Sequence, residues 1–91
     1  MINLNNKLDK IIEEESERRD PILAKKNFLL GVKAFELKKF NKAKNYFQIA
    51  VNWDIDDNYY TGLGLALIAL KKQNMAINYF EKALTLNPKN K

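Results

Sequence analysis

From residue 21 to residue 88 the apolar positions recur at steps of three and four, the spacing of helices that bury one stripe. The first run holds Phe28, Leu30, Gly31, Ala34 and Leu37, and the second Ala43, Phe47 and Ala50. The third holds Tyr60, Leu63, Gly64, Leu67 and Leu70, and the fourth Ala76, Phe80, Ala83 and Leu84. Breaks fall at Lys39-Phe40-Asn41 and Gln73-Asn74, where Asn41 and Asn74 are expected to cap the helices that follow. Asp20-Pro21 reads as an N-cap with a first-turn proline, Asp56 or Asp57 opens the third helix, and Pro88 stops the fourth. Ahead of all this, Leu4, Leu8, Ile11 and Ile12 make a narrow apolar stripe that the polar "EEESERR" continues. Residues 1–20 are therefore expected to form an amphipathic helix docked on the rest, and the chain to be all-α with about five helices.

The runs repeat. Leu30-Gly31 returns as Leu63-Gly64, Ala43 as Ala76, Phe47 as Phe80 and Ala50 as Ala83, always 33 positions on. A constant offset over so long a span marks an internal repeat, with a first unit over 21–56 and a second, with a short tail, over 57–91.

With "LLG" and "AKNYFQIA" in the first unit, and "YYTGLG" and "AINYFEKALTLNP" in the second, residues 24–90 resemble the tetratricopeptide repeat family. That family's unit is an antiparallel helix–turn–helix carrying Leu-Gly, a later aromatic, Ala-x-x-x-Phe and Pro in order. The second unit carries the whole second-helix signature. The first departs from the pattern at Asn27, Ala34 and Ile55, where the family has a bulky residue, an aromatic and a proline.

The resemblance implies an α-solenoid whose first helices line a concave inner face that holds a protein or peptide. It places Lys25, Phe28, Val32, Phe35 and Glu36 there from the first unit, and Asn58, Thr61, Leu65, Ile68 and Ala69 from the second. Part of the family clamps acidic C-termini with Lys, Asn and Arg on this face. Phe28 and Val32 stand where the Lys and the Asn are needed, so that ligand is excluded. Gly31 and Gly64 sit where the paired helices of a unit cross most closely, which offsets the ~0.8–1.0 kcal/mol that each glycine costs a helix. Gly62 is no signature position, and it reads as an exposed glycine rather than as a point of close backbone approach.

Composition narrows the chemistry. The 91 residues contain neither cysteine nor histidine, which removes thiolate and imidazole metal ligands, the thiol nucleophile and the commonest general base. Ser16 is the lone serine and has no histidine to activate it. The acids of "EEESE" at 13–17 point in different directions on a helix, and Asp54, Asp56 and Asp57 lack the spacing of a calcium loop. No catalytic, cofactor-binding or metal residue is assigned, and no enzyme activity is expected. No stretch reaches the ~20 apolar residues of a membrane span, and no signal peptide is visible, so a cytoplasmic protein is expected.

Net charge is +5, and residues 21–52 hold seven lysines against Glu36 alone. Lysines with Phe40 and Tyr46 among them raise nucleic-acid binding as an alternative, but no arginine follows Arg19 and Phe47 belongs to the core, so a solvated face is the better reading. Trp53 and Tyr79 are read as packing residues. The function expected is protein–protein interaction, with Lys25, Phe28, Val32, Phe35, Asn58, Thr61, Leu65 and Ile68 as candidate partner-binding residues. A self-associating scaffold is the alternative, because two units leave apolar surface uncovered.

Overall fold

The computed structural model describes residues 19–88, four α-helices in two antiparallel pairs. They are α1 (Pro21–Glu36), α2 (Phe40–Trp53), α3 (Asp57–Ala69) and α4 (Gln73–Leu86). The amphipathic helix expected over 1–20 and the tail after Pro88 lie outside the described residues, apart from Arg19 and Asp20. α1 packs on α2 and α3 on α4, while α2 lies against α3 and joins the two pairs. The 33-residue offset is kept in space: α1 and α3 end at Glu36 and Ala69, α2 and α4 start at Phe40 and Gln73 and end at Trp53 and Leu86.

Local chemistry sets these boundaries. Asp20 caps α1, its Oδ1 accepting from the Leu23 N–H at 3.0 Å, with Pro21 at the first helical position. Asp56 caps α3, accepting from Asn58 N–H at 2.8 Å. Asn41 and Asn74, by contrast, lie inside helices that begin one residue earlier, and the capping positions are Lys39 and Lys72, neither of which makes a side-chain cap. The reason is the turn before them. Lys38 and Lys71 adopt left-handed backbone, φ 61° and 63°, and close α1 and α3 with the same pair of bonds. Lys38 and Lys39 N–H donate to the carbonyls of Phe35 and Ala34, at 2.9 and 2.8 Å, and Lys71 and Lys72 repeat this on Ile68 and Leu67. A three-residue turn is thus complete before either asparagine.

The helices approach closely because their contact faces are small. Ala24, Ala34, Ala43, Ala50, Ala66, Ala76 and Ala83 are buried, and Leu63 and Leu67 are the largest fully buried side chains. Truncating either leucine to alanine costs ~2–5 kcal/mol. Phe47, 3% exposed, fills a notch between pairs: a Cβ on Gly31 would meet its ring at 2.6 Å, and one on Gly62 at 3.0 Å. Gly64 takes Phe80 in the same way at 2.6 Å. Gly62 is therefore buried, not exposed, and what approaches it is an aromatic ring from α2 rather than backbone. Polar contacts close both pairs at their open ends. Asp20 N–H donates to the Trp53 carbonyl at 2.9 Å, and Asn87 Nδ2 donates to Asp57 Oδ2 at 3.2 Å.

Candidate functional site

α1 and α3 run side by side, so the residues three and four apart on their inner faces form two facing rows. Between them lies a groove of about 370 Å³. Phe28, Val32, Phe35 and Glu36 line it from α1, and Asn58, Thr61 and Leu65 from α3, with buried Phe47 and Gly62 also in the lining. The structure thus brings six of the eight candidate residues to one groove. Lys25 and Ile68 are exposed but not in its lining: Lys25 sits one turn before Phe28, and Ile68 one turn after Leu65.

The walls are held in place. The Phe28 ring lies 5.6 Å from Phe47 and 5.0 Å from Tyr59, and Phe35 meets Phe40 edge-on at 5.2 Å. Such pairs add ~0.5–1.5 kcal/mol beyond area burial and restrict ring motion. The Thr61 hydroxyl donates to the Asp57 carbonyl at 2.9 Å, which leaves its methyl for the groove. Leu65 keeps 45% of its surface exposed, so the groove offers apolar area that a ligand can cover. Asn58 and Glu36 supply polar groups at its two ends. From Asn58 to Leu65 is seven residues of helix, about 10 Å, which matches two apolar side chains at i and i+4 or i+7 of a bound helix.

A second hollow, about 710 Å³, lies on the α3–α4 pair and Ile55 of the connection before it, where Tyr60 stacks on Tyr79 at 6.2 Å and Lys82 Nζ sits 5.7 and 5.8 Å from the two rings. Sequence reasoning took Tyr79 for packing and did not find this hollow; its one signal is that Tyr60, Tyr79 and Lys82 answer to Asn27, Tyr46 and Ile49, so the first unit cannot make it. Its lining is mixed, with Ile55, Met75 and Leu86 beside Glu81 and Lys82. Exposed lysines from both units collect at the turn ends of the two helix pairs. Lys38 and Lys39 in one turn, Lys71 and Lys72 in the other, and Lys42 beside them are all exposed and outside the groove lining.

Among the described residues no group of three or more His, Cys, Asp or Glu could hold a metal ion, and no helix is long and apolar enough to cross a membrane. Residues 58–90, which hold α4 and all of α3 but its first residue, match the family model of the tetratricopeptide repeat. Those residues form one tetratricopeptide repeat. The α1–α2 pair has the plan of this tetratricopeptide repeat 33 residues earlier, so the whole described fold is a stack of tetratricopeptide-like helix pairs. Comparisons with curated proteins and with solved structures return no match. The tetratricopeptide repeat is in general a non-enzymatic module that binds proteins or peptides.

Proposed function

We propose that the chain is a non-enzymatic adaptor or chaperone-like subunit that holds an apolar or amphipathic segment of a partner protein between α1 and α3. The observation that carries this reading is the groove itself, walled by Phe28, Val32, Phe35 and Leu65 from both helix pairs. Lys25 and Ile68 extend the contact by a turn at either end. A chain without cysteine suits work in a reducing compartment such as the cytoplasm. The test is titration with a displayed library of amphipathic helical peptides, followed by Phe35→Glu and Leu65→Glu. Each substitution is expected to weaken a selected peptide at least about tenfold, the loss of ~1.4 kcal/mol at a central contact. Peptides whose binding ignores both changes, or no binder at all, would end this reading.

Self-association is a second reading, favoured by the outer side of α4. Phe80 is half-buried where Phe47 is buried, and Ile77 and Leu84 beside it are exposed. Continuing the stack head to tail would bring Leu29, the counterpart of Gly62, against Phe80, and leucine cannot fill a site that glycine occupies against a ring. A dimer would therefore pair α4 with α4 around a two-fold axis. Light scattering up to high micromolar concentration decides it, since Leu84→Glu should abolish any dimer and strict monomer behaviour removes the reading.

A further inference from the structure

The side of α1 turned away from α2 is apolar and uncovered among the described residues. Ile22, Leu29, Leu30 and Leu37 are all exposed, Ile22 by 84% and Leu37 by 60%. With Lys26 and Lys33 between them they form one stripe at helical steps. The second helix pair shows how this fold uses such a stripe. The counterparts of Leu29 and Leu30 on α3 are Gly62 and Leu63, both buried in the core that α3 shares with α2; Leu63 is 1% exposed where Leu30 is 38% exposed. α1 therefore presents the seat of a preceding helix.

Three features identify the occupant. The 18 residues before Arg19 join the array beside Ile22, at the N-terminal end of the stripe, so a segment running back along α1 needs only a turn. Its apolar residues Leu4, Leu8, Ile11 and Ile12 have the same spacing as Ala43, Phe47, Ala50 and Val51, through which α2 enters the cores it shares with α3. They are aliphatic rather than aromatic, which suits a seat with Leu29 in place of a glycine notch. Charge agrees as well. A helix in that direction would bring Glu13, Glu14, Glu15 and Glu17 toward the N-terminal half of α1, the end that carries Lys26 and the positive pole of the helix dipole.

We propose that residues 4–12 form a helix antiparallel to α1 that occupies this seat and caps the array, leaving the inner groove free. This cap is independent of what the groove binds. Amide exchange on the full 91-residue chain, over a range of concentrations, tests it. Amides of residues 4–12 are expected to be protected to the same degree at every concentration. Leu8→Asp and Leu30→Asp should each abolish that protection and lower the melting temperature, the double variant lowering it no further than the worse single one. Protection retained in α4 shows that the variants remain folded. Exchange at unstructured-chain rates across 4–12 overturns the proposal. So does protection that rises with concentration alongside dimer in sedimentation, which gives the seat to a second copy, and so does protection lost in Phe35→Asp but not in Leu30→Asp, which puts the segment in the groove.

Discussion

Gly31→Ala and Gly64→Ala make the same chemical change at matching positions, and a new Cβ would lie 2.6 Å from the nearest ring carbon in both. Ordinary carbon contacts fall near 3.5–4.0 Å, so each ring must retreat by roughly 1 Å. The two rings differ in their freedom to do so. Phe47 is 3% exposed, and its Cδ1–Cε1–Cζ edge is already crowded from α3, where a Gly62 Cβ would stand at 3.0 Å. Phe80 is half-buried with nothing beyond α4 among the described residues. Overpacking costs ~1–3 kcal/mol, while Ala for Gly returns ~0.8–1.0 kcal/mol of helix propensity. Gly31→Ala should then lose ~1–2 kcal/mol, and Gly64→Ala should fall within ~0.5 kcal/mol of the parent. At ~4–8 °C per kcal/mol for a domain of this size, the melting temperatures separate clearly. Urea titration followed by circular dichroism gives both values, and Phe47→Leu in the Gly31→Ala background should recover part of the loss as a coupling of at least ~0.5 kcal/mol. Equal losses at the two glycines, or a gain at Gly31, would refute the reasoning, because burial of the opposing ring would then not set the cost.

Lys38→Gly and Lys71→Gly should each stabilise by ~0.5–1 kcal/mol, since a left-handed residue other than glycine costs ~1–2 kcal/mol, less the extra chain entropy that glycine loses; urea midpoints check this. Asp20→Ala and Asp56→Ala remove the two side-chain caps and should each lose ~1 kcal/mol by the same assay. Burial first, then the Asp56 and Asp54 carboxylates, hold the Tyr59 hydroxyl above the usual tyrosine range. The folded chain thus binds that proton more tightly than the unfolded one, so the contribution is whole below about pH 10 and is lost as pH rises toward the folded value. Between about pH 9 and pH 11 the parent should lose more stability than Tyr59→Phe, and parallel curves would show that the environment of Tyr59 does not act as described.

The helix pairing was legible in the sequence because Phe47 and Phe80, Gly31 and Gly64, Ala43 and Ala76 each hold a contact inside one helix pair, so the repeat prints them twice. Turns were less legible. Lysine at Lys38 and Lys71 does not announce left-handed backbone as glycine does, and the asparagines beyond drew the cap assignment one residue into the helix. Gly62 was misread for a different reason: its partner Phe47 belongs to the other pair, and a contact between units appears only once in a chain of two. At the groove, the two facing rows were implied by the family resemblance. It did not say where the rows stop, because Lys25 and Ile68 share the helical phase of the lining but lie a turn beyond it.

Gly62 also sets a grammar for growth. In this joint a unit follows another when its first helix brings a small residue, here a glycine, to the aromatic ring left open by the unit before. The segment 54–86 has both halves of that joint, Gly62 to receive and Phe80 to offer, whereas 21–53 offers Phe47 but begins with Leu29 where the glycine is needed. Duplication of the first segment gives a product that jams at its own junction. Duplication of the second gives one that stacks, so the two segments act as starter and extender, and an array lengthened from this gene would be built from its C-terminal half.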